Sequence, residues 1–269
     1  MRLTILVDNN TYIDQYYLGE PGVSYFIEDC GIRILFDTGY SDVYVRNAKK
    51  MGIDLSELDA VVLSHGHNDH TGGLAWFPKM KRKPKLIGHP QVLEKKRVGE
   101  LTVCSPLAKE VLSDMFEVCL SSEPVRISEH ILYLGQIQRR NTFENTCPIG
   151  ERFSDGEWKP DFLLDDSALV YIDMKEKSIS IITGCSHAGI CNIIEQAKTV
   201  TRISTVKRVI GGFHLLDGKS LQTIRTAEYL KNEKIPYLYP CHCTCFKSKA
   251  EIHRNTPVEE VGVGAIYEW

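Results

Sequence analysis

The chain has 269 residues, 43% of them hydrophobic and 25% charged, with a formal net charge of −3. That length fills one large domain or two small ones and supports a sizeable core. The mildly acidic balance excludes an overall basic field that would recruit nucleic acid or a membrane surface. No apolar stretch is long enough to span a bilayer, and the first seven residues are too short for a signal peptide. Nine cysteines without such a peptide point to a reducing cytoplasm, where thiols are buried, catalytic or metal-bound.

In chain order, residues 5–7 and 25–27 read as strands separated by a polar loop. Residues 32–36 form another, ending in Asp37-Thr38-Gly39, which places a carboxylate at a sheet edge where it can orient a neighbour. Taken alone, an Asp in that place is usually a turn or cap residue. A helix is expected over 42–51, with Val43, Ala48 and Met51 apolar and Gly52 as its stop. A turn over 54–59 leads into Ala60-Val61-Val62-Leu63, short, β-branched and bounded by polar residues, hence a buried strand.

Directly after that strand comes Ser64-His65-Gly66-His67-Asn68-Asp69-His70-Thr71-Gly72-Gly73, with four strong metal-ligand side chains inside six residues. The two-residue period of an extended chain puts His65 and His67 on one side, where two imidazoles can hold one ion. Asp69 and His70 fall where the backbone turns and can face a second position. Imidazole with carboxylate suits zinc, iron, manganese or nickel. Surface histidines in a polar loop are the plain alternative, and the spacing and strand-to-turn context argue against it. Thr71-Gly72-Gly73-Leu74 opens a short helix whose glycines permit close backbone approach.

Residues 78–159 carry the fewest signals. Lys79, Lys81, Arg82, Lys83 and Lys85 form a basic run, read first as a solvated loop and second as attraction for an anionic substrate. Residues 86–90 resemble a strand and turn, 105–116 a helix, and 141–161 a polar loop of the kind that shapes a pocket. His89 and His130 have no ligand neighbour at useful spacing. Residues 165–172 and 178–182 then form a hairpin whose second strand ends in Thr183-Gly184-Cys185-Ser186-His187-Ala188-Gly189, followed by a helix over 190–197. A strand over 206–210 runs into Gly211-Gly212-Phe213-His214, and a helix over 220–231 follows. The strand at 236–239 ends in Pro240-Cys241-His242-Cys243-Thr244, and 263–267 is the last strand.

Four apolar strands thus end at a histidine or a cluster of them, a repeat that gathers imidazoles at one rim of a sheet. The motif His65-Gly66-His67-Asn68-Asp69-His70, preceded by Phe36-Asp37-Thr38-Gly39, resembles the metallo-β-lactamase superfamily. The segments around His187, His214 and His242 resemble its branch named after dihydropterin ribofuranosyl-aminobenzene phosphate synthase. The resemblance covers essentially the whole chain and is weakest from 78 to 161. It implies an α/β fold, an αββα sandwich of two mixed β-sheets flanked by helices, in a single domain over 1–269 with 78–161 as a pocket-shaping insertion. It also implies two divalent metal ions, zinc first, with manganese, iron or nickel as alternatives. Carried over by position, His65, His67 and His187 hold one ion, Asp69, His70 and His242 the other, and Asp37 stands behind them. The chain departs from the superfamily's bridging aspartate, having Cys185 in its place. Cys185 as a thiolate ligand, Cys185 as a buried bystander, and Asp165 or Asp166 reaching in from the hairpin are the three readings. The bystander comes first, because imidazole and carboxylate dominate the remaining donors.

The implied chemistry is metal-assisted hydrolysis of a small, anionic molecule, with a phosphodiester or phosphate-bearing ester foremost and neither nucleic acid nor membrane as partner. Asp69 would orient the attacking water, and His214, placed near the substrate, would protonate the leaving group. Two alternatives stand beside it. One is the pterin-cofactor synthesis in the branch name, for which no residue argues independently. The other is a thiol-rich metal-binding redox or sensor protein built on Cys241, His242, Cys243 and Cys245 with Cys185 and Cys191, although Cys-His-Cys-Thr-Cys is not a zinc-finger spacing.

Overall fold

The computed structural model describes residues 1–144 and 146–269. The chain divides into two compact units, one of Met1–Ser122, Pro148–Asp165 and Gly262–Trp269, the other of Glu123–Cys147 and Asp166–Val261. Among the described residues no helix is long and apolar enough to cross a membrane.

In the first unit a seven-stranded mixed sheet runs in the order Ile266–Glu268, Arg2–Val7, Ser24–Asp29, Ile32–Phe36, Ala60–Val62, Lys85–Gly88, Glu117–Leu120. The first four strands pair antiparallel and the remainder parallel. Ala60–Val62 is buried throughout, as a central parallel strand covered on both faces must be. Parallel pairing sends the carboxyl ends of Ile32–Phe36 and Ala60–Val62 to the same edge, so Asp37 and the His65 segment emerge together. The helix Val43–Lys50 buries Val43, Tyr44 and Ala48 in one core with Leu35, Val61 and Leu86.

A second, four-stranded antiparallel sheet of this unit has the order Glu157–Pro160, Glu151–Ser154, Lys96–Val98, Leu101–Thr102. Its hairpin lies where a loop over 141–161 is expected. Charged residues hide the strand pattern there, and the pairing rests on Phe153 opposite Trp158, whose rings meet edge to face with Arg97 over the indole. The helix expected over 105–116 is shorter, Lys109–Met115.

The second unit is built on a six-stranded sheet in the order Tyr237–Cys241, Val206–Gly212, Ser178–Thr183, Ala168–Asp173, Ile131–Tyr133, Val125–Arg126. The first three strands are parallel neighbours, which brings the segments bearing Cys185 and His187, His214, and His242 to one edge. The expected hairpin over 165–182 is Ala168–Asp173 paired with Ser178–Thr183. Helices Ile190–Thr201, Leu221–Glu233 and Phe246–His253 belong to this unit, and Ile193, Ala227, Leu230 and Ile252 join Val170, Ile181 and Val209 in its core. Ser220 caps Leu221–Glu233 by accepting the Thr223 N–H.

Candidate metal centre

The first unit presents its donors from an extended segment that turns into a short helix. His67 has extended backbone and caps the helix Asn68–Thr71, so His65 and His67 precede the turn while Asp69 and His70 lie on it. That turn is held tightly: the Thr38 N–H donates to the His70 carbonyl at 2.8 Å. A Cβ on Gly73 would collide with the Thr38 carbonyl, so only glycine fits there.

Asp37 organises the cluster from behind. It is fully buried, at φ 57°, and its carboxylate accepts from the Ser64 N–H and the Ser64 hydroxyl, each at 2.7 Å, and from His70 Nδ1 at 2.7 Å. Because the Ser64 hydroxyl donates its proton to Asp37, at 3.0 Å it accepts from His65 Nδ1. One aspartate therefore holds a proton on Nδ1 of two rings, directly for His70 and through Ser64 for His65, and Nε2 of each ring is turned to the far side. His65 Nε2 stands 3.1 Å from His67 Nδ1, and His70 Nε2 stands 3.5 Å from Asp69 Oδ2.

Donor atoms of His65, His67 and Asp69 all lie within 4.8 Å of one another. Ligand nitrogens around a tetrahedral ion with bonds of about 2.0–2.1 Å sit about 3.3 Å apart, close to the His65–His67 spacing. Burial pushes the His67 imidazolium down to about 4, against the pull of the Asp69 and Asp165 carboxylates, so the ring is neutral at pH 7 as a ligand must be. Burial also opposes charge on His70, but Asp69 and Asp37 outweigh it and hold its proton well above the ordinary imidazole range. A buried, partly anionic pocket fits a divalent cation: His67 is already neutral, and an entering ion would take the place of the extra proton on His70.

The segment is braced by residues that carry no sequence signal. Lys96, Asp161 and Asp165 are all buried, and the Lys96 ammonium lies 2.7 Å from Asp161 and 3.0 Å from Asp165. The other Asp165 oxygen accepts the N–H of Gly66, between the two histidines, at 2.8 Å. Asp165 is thus engaged on both oxygens as an anchor. The basic run lies elsewhere. Lys85 opens a strand whose carboxyl end points the same way as that of Ala60–Val62, so residues 79–85 sit at the opposite strand end from His65. Lys81 pairs there with Glu57, and Arg82 with Asp59, beside a surface cleft of about 690 Å³.

In the second unit the strand-end segments are tied to one another. The Ser186 hydroxyl donates to the Gly212 carbonyl at 2.6 Å, and the Gly212 N–H to the Gly184 carbonyl at 2.8 Å. The Phe213 N–H donates to Thr244 Oγ1 at 2.9 Å, and Asp166 accepts the Ala188 N–H at 2.9 Å. The rings of His187 and His214 meet with centroids 4.2 Å apart. His242 directly follows its strand, half-buried, at φ 48°. The thiol-rich segment is split: Cys245 faces Ser248 and Cys191 faces Thr226, while Cys243 turns toward His214 and Cys185. Burial opposes ionisation of Cys243, but hydrogen bonding from Cys185 and His214 and the nearby imidazoles bring its thiol well below the ordinary range.

A family model for the metallo-β-lactamase superfamily matches residues 18–242. The chain belongs to the metallo-β-lactamase superfamily. Two curated relatives from Methanocaldococcus jannaschii align along most of it. One, 30% identical over 93% of this chain and 89% of its own, is named 7,8-dihydropterin-6-methyl-4-(β-D-ribofuranosyl)-aminobenzene-5′-phosphate synthase. The other, 32% identical over 93% of each chain, is uncharacterized. A solved structure described as a metal-dependent hydrolase of the β-lactamase superfamily superposes with a TM-score of 0.86 at 27% identity, over 100% of this chain and 99% of that one. The superfamily, the branch and the fold class read from the strand-end motifs are thereby borne out.

Proposed function

We propose that the chain is a metal-dependent hydrolase acting on a small, phosphate-bearing ester or phosphodiester, with two divalent ions, zinc foremost. The observation that carries this reading is the His65, His67, Asp69 donor set, with His70 and His65 locked into ligand tautomers by Asp37 and Ser64. His187 and His242, past the ends of the two strands that flank Val206–Gly212, are the further metal donors we assign, within the second unit. A bound divalent ion supplies a Lewis acid that lowers the pKa of water toward neutrality and polarises a substrate oxygen. Asp69 accepts a hydrogen bond from the attacking water and aims it. A protic group at the rim, His214 or a neighbour, returns a proton to the leaving oxygen. Support for hydrolysis comes from the similar protein described as a metal-dependent hydrolase. The paired basic run, at the far strand end, lends the phosphate preference no help. Nine cysteines outside any disulfide suit a cytoplasmic protein.

A second reading, pterin-cofactor synthesis, is favoured by the relative named as the ribofuranosyl-aminobenzene phosphate synthase. Zinc- or manganese-loaded protein assayed against phosphodiesters, phosphomonoesters and lactones separates the two. Metal-dependent turnover that is lost on chelation and in His65→Ala/His67→Ala supports the hydrolase. Fully loaded protein that cleaves none of them, yet joins a dihydropterin to a ribofuranosyl-aminobenzene phosphate, overturns it.

A further inference from the structure

We infer that Cys185, His214 and Cys243 of the second unit form a thiolate-containing binding site for a thiophilic divalent cation of the zinc class. Their donor atoms, two sulfurs and an imidazole nitrogen, all lie within 4.8 Å of one another. Three elements deliver them: Cys185 follows Ser178–Thr183, His214 follows Val206–Gly212, and Cys243 follows Tyr237–Cys241. These are adjacent parallel strands, so the convergence is set by the sheet and not by one loop. Gly212 lines the approach, since a Cβ there would press on the Cys243 sulfur and on the Cys185 Cα. The His214 backbone N–H donates to the Cys243 sulfur at 3.3 Å, the kind of contact that steadies a metal-bound thiolate from outside. Cys243 Sγ also lies 3.5 Å from the Cys185 carbonyl, which holds it beside the second thiol.

The donor chemistry selects the ion. Two thiolates and an imidazole favour zinc and its congeners over magnesium, calcium or manganese. Binding releases one proton from each thiol that was protonated, and no electron moves. The sequence argument for Cys185 as a bystander rested on its being a solitary sulfur among imidazoles and carboxylates. Cys243 removes that ground, and the site takes His214 out of the proton-donor role, leaving that to another group. The inference stands on its own donor set and does not require the hydrolase reading.

Cobalt(II) titrated into the chelated full chain tests it. A thiolate-to-cobalt charge-transfer band is expected in the near ultraviolet, retained in His65→Ala/His67→Ala and lost in Cys185→Ser/Cys243→Ser. Absence of the band in the unaltered chain, or its survival in the double serine variant, overturns the site. A second measurement needs no variant: alkylation of Cys243, read by peptide mass, should be slowed by zinc and restored by chelation, while the exposed Cys30 and Cys147 react alike in both states. Equal labelling of Cys243 with and without zinc also overturns it. Hydrolysis without the band defeats this inference alone; the band without hydrolysis defeats only the catalytic proposal.

Discussion

Asp37 does more for the donor cluster than any donor in it, because it keeps a proton on Nδ1 of two different rings. Asp37→Asn preserves size and the left-handed backbone, which Asn tolerates, but its amide can face His70 Nδ1 as a donor. His70 is then driven to carry its proton on Nε2, the side toward Asp69. Metal affinity should fall about 10–100-fold, read by competition with a chromophoric chelator; unchanged affinity would show that the tautomer lock is idle. His67 gives a pH signature in the chelated protein. Its folded pKa of about 4 lies below the 6.5 of the free ring, so the unfolded chain binds a proton that the folded one refuses. Stability from this group is intact above pH 6.5 and falls as pH drops toward 4. Over that window the full effect is about 3 kcal/mol, which partial exposure of the ring trims to roughly 1–2 kcal/mol. His67→Gln should flatten the corresponding slope in urea titrations between pH 7 and pH 5. A slope equal to that of the unaltered protein would remove the ring from the argument.

At the scale of elements, the histidine-bearing segment is a strand extension clamped from the side. Lys96→Met would leave Asp161 and Asp165 buried without their cation, a loss of about 3–5 kcal/mol. Neutralising both partners as well, in Lys96→Met/Asp161→Asn/Asp165→Asn, should recover much of it, since the penalty is the unpaired charge. Urea denaturation of the chelated proteins measures both, and a single-variant loss below about 1 kcal/mol would mean the triad is not the brace described. None of this is legible in the sequence. Lys96 is separated from Asp161 and Asp165 by 65 and 69 residues, on elements whose pairing no local period announces. The donors themselves are legible, because a strand followed by His-x-His-x-Asp-His carries its geometry in its own backbone. The closeness of Cys185 and Cys243 is hidden for the converse reason: only the parallel register of Ser178–Thr183, Val206–Gly212 and Tyr237–Cys241 brings their segments to one edge.

Across the whole molecule one pattern recurs in both units. Asp37, Ser186, His214 and His242, each just past the end of a strand, all have left-handed backbone, with φ between 48° and 61°. Such residues cost of order 1–3 kcal/mol each where they are not glycine. The sequence marks the strand ends but not this conformation, since nothing in Thr-Gly-Cys-Ser-His or Gly-Phe-His demands it. Held strain beside buried donor groups identifies what a cation would offset. An ion that binds only the folded chain stabilises it by about 2.7 kcal/mol at a hundredfold excess over Kd. For a protein of this size that raises Tm by about 5–10 °C. Calorimetry of zinc-loaded and chelated protein should therefore show that upward shift, shrinking in His65→Ala/His67→Ala and shrinking further when Cys185→Ser/Cys243→Ser is added. Identical melting with and without bound zinc, metal content being verified, would mean that the ion binds folded and unfolded chain alike. The strand-end donors would then be held by the fold alone, with no contribution from metal to the stability of either unit.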